Sequence, residues 1–358
     1  MKRPAALTLI PLLAVLALTL AASDWLWSLA GNTGMQALGG WLALPMRIFT
    51  FLGDEQFYLI AIPVVYWCIH KGLGADLGVL LVLSSFTNGL IKSFIKHNRP
   101  FWQDAALQLG DASSFSTPSG HAQTSTALFG HLAVYLSRKR RGALGAALLI
   151  VLIALVALSR VYLGVHFAGD ILWGAMVGLL LLTLYGWLKP VLLLRLKPLS
   201  PGLHALLALI LAAAMFGAQA LLLSIPFGIG ETFGELYVEA RSTTLEEAAT
   251  VAGLAFGLWV GLALEMRYVQ FSVAGPLWQR AVRYLVGLAG LFAIWMGLRM
   301  VFPQEPLLPA LALRVVRYAL AMLWAIVAWP WLFVRIGLGT GGIQKEPQPT
   351  LQATPLGP

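Results

Sequence analysis

Three short polar clusters interrupt an otherwise apolar chain, and their residue types suit a single chemistry. They are Lys92 with Arg99-Pro100, then Pro118-Ser119-Gly120-His121, then Ser159-Arg160 followed by His166 and Asp170. Fixed cations neutralise phosphoryl oxygens and the charge that gathers in a pentacoordinate transition state. An imidazole oriented by a carboxylate can attack phosphorus, and a second imidazole can protonate a leaving oxygen. In this order, at the mouths of successive apolar segments, the clusters predict a pocket that binds phosphate at a membrane surface and attacks it with histidine.

Each cluster also has a plainer reading. Lys92 and Arg99 are close to two helical turns apart, so a continuous helix would put both on one face. Long basic side chains at the end of a span also snorkel to the interface without binding anything. Pro118–His121 precedes an apolar helix, where free amides bind anions and Gly120 admits a phosphate close to the backbone. Ser119 could donate its hydroxyl to phosphate or serve as an N-cap. His121 suits a leaving-group acid because imidazole titrates near neutrality; alone, it reads as an interfacial histidine. His166 and Asp170 share a face if their stretch is helical, and the carboxylate then fixes the tautomer that leaves the other nitrogen free. A structural pair is the alternative, although an ionisable pair at a membrane span usually marks function. Arg160 adds a third cation.

The elements that carry these clusters must cross a bilayer. Hydrophobic residues make up 59% of the chain and charged residues 11%, against about 45–50% and about 25% in soluble domains. Mean hydropathy is +0.81. The 358 residues accommodate roughly ten spans of about 20 residues each. The apolar run over 5–22 is read as a retained transmembrane helix, with a signal peptide cleaved near Ser23 as the alternative. Residues 26–52, with Trp27, Trp41 and several glycines, suit interfacial or re-entrant helix. Further spans are predicted at 56–70, 73–95, 120–137, 142–159, 168–188, 203–224, 248–264, 283–301 and 312–334. Arg138 to Arg141, then Lys189, Arg195 and Lys197, then Arg267, Arg280 and Arg283 mark cytoplasmic loops. Glu231, Glu235, Glu239, Glu246 and Glu247 then fall in an outer loop, and all three polar clusters face outward. Arg314 and Arg317 are exceptions to the pattern. The formal charge of +9 follows this loop placement, so nucleic acid is not the expected partner. The single cysteine, Cys68, excludes an intrachain disulfide.

Residue by residue, the clusters resemble the type 2 phosphatidic acid phosphatase family, kin to the vanadium haloperoxidases. That family's motifs are a lysine, six residues, then Arg-Pro; Pro-Ser-Gly-His; and Ser-Arg, five residues, His, three residues, Asp. All three stand here unsubstituted, as Lys92, Arg99 and Pro100; Pro118 to His121; and Ser159, Arg160, His166 and Asp170. The resemblance covers about residues 50–188. It implies an all-α polytopic membrane protein with a six-helix core, to which this chain adds C-terminal transmembrane helices. Four segments are expected: 1–52, a signal-anchor or transmembrane helix and interfacial stretch; 53–190, the catalytic core; 191–336, a C-terminal transmembrane bundle; and 337–358, a disordered tail.

The resemblance also implies a reaction that uses no metal and no cofactor. His166 would attack to form a phosphohistidine, Asp170 would stabilise its imidazolium, and His121 would protonate the leaving group and then activate water. Lys92, Arg99, Ser119, Gly120 and Arg160 would hold the phosphoryl oxygens. The expected substrate is a lipid phosphate in the bilayer: phosphatidate, phosphatidylglycerophosphate, a polyprenyl diphosphate or a sphingoid phosphate. The expected location is a bacterial inner membrane with the site outward. The alternatives are a phosphotransferase acting on a lipid or sugar acceptor, and a lipid transporter or scramblase.

Weaker signals remain. Asp54-Glu55 reads as acid at a helix N-terminus rather than a pocket lining, and Trp102 and Asp104 as interface packing. His70, His97, His131 and His204 lack metal-ligand spacing. Gly253, Gly257 and Gly261 form a stripe for close helix packing, with a homodimer through that face as the second reading. Glu265, at the end of a span, leaves room for a second site.

Overall fold

The computed structural model describes residues 22–226 and 233–342. All but Ala22 of the predicted span at 5–22, together with Glu231 and residues 343–358, lies outside them. The described chain is helical: α1 (Ser23–Leu26), α2 (Ala30–Gln36), α3 (Ala43–Phe51), α4 (Glu55–Val64), α5 (Lys71–Ile95), α6 (Pro100–Gln103), α7 (Gly120–Ser137), α8 (Ala143–Tyr162), α9 (Ala168–Leu196), α10 (Pro201–Ser224), α11 (Glu235–Leu264), α12 (Leu277–Val301), α13 (Leu307–Leu323) and α14 (Trp329–Arg335). Among the described residues, seven helices are long and apolar enough to cross a membrane. A further pair, Gly40–Phe51 with Glu55–Ile69, is bent by 50° at its break, in the stretch where an interfacial or re-entrant segment was expected. The chain is a multi-pass membrane protein.

α7 falls short of that apolarity because its first turns carry His121, Gln123, Thr124, Ser125 and Thr126. These polar groups are matched across the core. Ser84 and Thr124 share a 2.9 Å hydrogen bond, Gln123 donates to the Ser84 carbonyl at 2.8 Å, and Asn88 donates to Gln123 Oε1 at 3.0 Å. Buried polar groups cost free energy unless paired, so this ladder specifies how α5 meets α7. On the opposite side of α7, Gly174 and Gly178 of α9 leave space that a Cβ would not find, 2.5 Å from the Ser119 carbonyl and 2.4 Å from that of Gln123. Toward the far end of the core, Asp76 accepts from Tyr185 at 2.7 Å and from Lys189 at 2.6 Å and lies 3.3 Å from His131 Nε2. This buried charge ties α5, α7 and α9 together.

The C-terminal helices share the core's buried surface. Tyr66, Trp67 and Val82 lie in one apolar cluster with Met215, Val251, Leu258, Trp329 and Phe333. Trp67 donates to the Ala325 carbonyl at 2.8 Å. α11 is packed between α10, α5 and α13.

Several expectations are corrected here. Glu235, Glu239, Glu246 and Glu247 belong to α11, which begins well before the predicted span, and not to an outer loop. The Gly253, Gly257 and Gly261 stripe is filled by α13 and the turn after it: an added Cβ would meet Val315 O at 2.4 Å, Ala319 O at 2.5 Å and Ile326 Cβ at 2.9 Å. That face is closed within the chain and does not present itself to a second copy. Glu265 is not an open second site, since it accepts from Lys71 at 3.0 Å and from the Phe271 amide at 3.1 Å. Residues 337–342, expected in the tail, pack on the bundle: the Ser272 amide donates to the Thr340 carbonyl and the Gly342 amide to the Val269 carbonyl.

Candidate active site

The three polar clusters converge, but not by the local geometry their spacing implied. α5 stops at Ile95, and Lys96 adopts a left-handed conformation at φ 50°, so Lys92 and Arg99 do not share a helical face. They meet instead at the loop before α7. Lys92 Nζ donates to Ser114 Oγ at 2.9 Å, and Arg99 Nε donates to the Ser114 carbonyl at 2.6 Å. Arg99 also donates to the carbonyls of Val165 at 2.7 Å and Phe115 at 3.1 Å, and its Nη1 stands 3.3 Å from His166 Nε2. A guanidinium held by three carbonyls keeps its fork in place when an anion arrives, and its planar donors match phosphoryl oxygens.

His166 lies in the turn between α8 and α9, ahead of the first helical residue, Ala168. Gly164 makes that turn with φ +72°, where an added Cβ would strike the Leu107 carbonyl at 1.9 Å. His166 Nδ1 reaches Asp170 Oδ2 at 3.2 Å, so the pair forms across a helix start and not along one face. Asp170 holds more than this imidazole. Its carboxylate accepts from Ser116 at 2.5 Å, from Thr117 at 2.5 Å and from the Phe167 amide at 2.9 Å. Asn32, fully buried on α2, donates to the carbonyls of Val161 at 2.8 Å and His166 at 3.0 Å and fixes the turn from outside the motifs.

These contacts set the electrostatics of His166. Burial, then the positive charge of Arg99, hold its imidazole well below the ordinary histidine range. The ring is therefore neutral near pH 7, with the Nδ1 proton on Asp170 and the Nε2 lone pair beside Arg99.

His121 opens α7 and points at a residue that the motifs do not contain. Its Nε2 lies 2.7 Å from Asp54 Oδ1. Gly53 permits this, since a Cβ there would sit 2.8 Å from the His121 ring. The sequence reading of Asp54 as mere helix-terminal acid is therefore replaced by an Asp54–His121 pair. Ser119, expected on phosphate or as a cap, is the cap: its hydroxyl accepts from the Ala122 amide at 3.5 Å. Its own amide donates to the Asp170 carbonyl at 3.0 Å, joining the α7 and α9 N-termini. The first-turn amides of Gly120 and His121 have no intrahelical acceptors.

Arg160 hydrogen-bonds to Thr50, and its buried Nε has no hydrogen-bond partner among the described residues, which leaves a donor for an incoming oxygen. It lines a cleft of about 690 Å³ together with Thr50, Asp54, Gln108 and Asp111. His166, 2% exposed, lies deeper. Beyond Asp54 and Asn32, the residues that sequence reasoning missed are Ser114, Ser116, Thr117 and His97. His97 Nδ1 shares a 2.8 Å hydrogen bond with Thr117 Oγ1. Only adjacency to Pro118 hinted at the first three. Trp102, buried, packs on Phe115 and Phe233. Among the described residues, no three His, Cys, Asp or Glu side chains gather in a way that could hold a metal ion.

Comparison with known proteins gives the family. The PAP2 superfamily model matches residues 73–193, and a model described as PAP2 superfamily phosphatase, transmembrane extension, matches residues 249–341. Phosphatidylglycerophosphatase B of Bacillus subtilis (strain 168) is 32% identical over 153 residues, which cover 40% of this chain and 73% of that protein. Sphingosine-1-phosphate phosphatase 2 of Mus musculus is 27% identical over 217 residues, 60% of this chain. The chain spans 57% of that protein's length and 50% of the Homo sapiens one. The crystal structure of the first transmembrane PAP2 type phosphatidylglycerolphosphate phosphatase from Bacillus subtilis aligns with TM-score 0.43 at 27% identity, covering 53% of this chain and 97% of that one. The chain belongs to the PAP2 superfamily.

Proposed function

We propose that this protein is an integral membrane phosphatase that hydrolyses a lipid phosphate through a phosphohistidine. The observation that carries the reading is the His166 imidazole, oriented by Asp170 at Nδ1 and facing Arg99 at Nε2. Nε2 attacks phosphorus as the ester P–O bond breaks. Lys92, Arg99, Arg160 and the Gly120 amide take the phosphoryl oxygens, where their charge is worth most in the transition state. His121, oriented by Asp54, delivers its proton to the departing alkoxide. It then takes a proton from the water that cleaves the P–N bond, releasing phosphate and regenerating His166. Every group in this scheme is a side chain or an amide, so activity is expected to survive chelators.

The names of the relatives support a phosphorylated lipid as substrate: sphingosine-1-phosphate and phosphatidylglycerophosphate phosphatases are among them. The catalytic clusters lie at the opposite end of α7 from the basic Arg138–Arg141 turn, which supports a site facing outward from the cytoplasm. A bacterial inner membrane and division into segments 53–190 and 191–336 remain part of this proposal. The test is phosphate release from a panel of lipid phosphates by purified protein, with EDTA present and His166→Ala as control. Loss of release in the variant, with helix content unchanged, is expected. Full activity in that variant would sink the assignment. Phosphate appearing on an added lipid or sugar alcohol instead of in solution would make the enzyme a transferase.

A further inference from the structure

Glu246 and Glu247 are neighbours on α11 and turn toward different helices. Glu246 accepts from Arg314 Nη1 at 2.6 Å, and Arg314 Nε donates to Thr250 Oγ1 at 2.9 Å. Glu246, Thr250, Gly253 and Gly257 thus form, at helical spacing, the stripe that α11 presents to α13. The other face meets α5. There Glu265 pairs with Lys71, and Leu258 lies 3.6 Å from where a Cβ of Gly78 would stand. These two pairs run in opposite directions along the two helices, and Val251 and Val82 join the same buried cluster. Continuing that antiparallel register brings Glu247, one turn from Val251 on the same face, level with Gly89 and within about one turn of Lys92.

That register turns Glu247 of the C-terminal helices toward the end of α5 that carries Lys92. Its carboxylate acts electrostatically on Lys92 and Arg99, and on Glu55 at the start of α4. It is only partly buried, and among the described residues nothing hydrogen-bonds or ion-pairs with it. A free carboxylate beside two phosphate-binding cations weakens their pull on a bare polyanion. It strengthens binding when the ligand brings a positive charge of its own.

Resting on the phosphatase reading above, we propose that Glu247 is a specificity-determining residue that sorts headgroups by charge. It selects a phosphate monoester carrying an ammonium group a few bonds from the phosphate, and it discriminates against a diphosphate. With the phosphoryl group on Lys92 and Arg99, such an ammonium falls on the Glu247 side, whereas the second phosphate of a diphosphate places negative charge there.

The test uses the full chain in detergent micelles with three substrates. They are a long-chain 2-aminoalkyl phosphate, the same alkyl phosphate without the amine, and a prenyl diphosphate. For the wild type, kcat/KM is expected to be highest for the amino substrate. In Glu247→Gln the amino substrate should lose about fivefold, mainly through KM, while the other two gain about twofold, the scale of one partly screened charge. Opposite shifts cannot come from misfolding, which lowers all three. Glu247→Asp should restore the wild-type order. Glu246→Gln, which faces α13, should move all three substrates in the same direction. Equal wild-type rates on the amino and amine-free substrates, or a parallel change in Glu247→Gln, would overturn the proposal and leave the phosphatase intact. No phosphate release from any substrate would overturn both.

Discussion

At the residue scale the site works by dividing labour between two histidines that hold different carboxylates. Asp170 is saturated with donors from Ser116, Thr117 and Phe167 besides His166, so it orients without competing for the proton. Asp54 serves His121 alone among the histidines, from a bend outside the three motifs. Asp54→Asn should reduce kcat by about a hundredfold, the usual weight of a misoriented general acid, with little change in thermal midpoint. Steady-state kinetics beside a melting curve checks this. His166 makes a second prediction through linkage. Its imidazole is held low when folded, so the unfolded chain binds the proton first as pH falls. Its contribution is thus complete above the unfolded value of about 6.5 and is lost as pH drops below it, by up to about 1.4 kcal/mol per pH unit. Melting temperature should fall between pH 7 and 5, and fall less in His166→Gln.

At the element scale the catalytic residues are placed by helix ends and by small residues between helices. α7 and α9 both begin at the site, joined by the Ser119 amide on the Asp170 carbonyl. That junction requires close approach, which Gly174 and Gly178 supply in a setting where van der Waals packing, not the hydrophobic effect, drives helix association. Gly174→Leu should therefore cost about 1–3 kcal/mol by overpacking and reduce phosphate release as Ser119 and His121 are displaced. Gly186→Leu is the control, since nothing lies within 4 Å of a Cβ there. A thermal melt and an activity assay on both variants separate the outcomes.

At the scale of the whole molecule the C-terminal helices form part of the site's support. Tyr237 packs on Phe115 with ring centroids 5.5 Å apart, and Phe233 packs on Trp102 at the same distance. The Phe115 carbonyl is one of the three that hold Arg99. Tyr237→Ala should loosen that loop and lower kcat by up to about tenfold, the scale of one aromatic pair, while helix content by circular dichroism stays unchanged. An unaltered kcat would show that the extension packs on the core without supporting Arg99.

Residue types and intervals by themselves determined the membrane-spanning helical class and nominated eight candidate residues, because burying apolar runs in lipid and binding phosphate demand those types in any fold. Where intervals were converted into local geometry the reading failed. Seven residues between Lys92 and Arg99 promised one helical face, yet α5 ends at Ile95 and Ser114 brings the cations together. The spacing of His166 and Asp170 promised one helix, yet the helix starts only at Ala168, with Phe167 extended before it. Only the tertiary structure decided that Asp54 serves His121, that the glycine stripe on α11 is closed by α13, and that α11 runs antiparallel to α5 so that Glu247 comes level with its Lys92 end. Such pairings depend on which helices adjoin and in what register, and a linear chain carries neither quantity in any single segment.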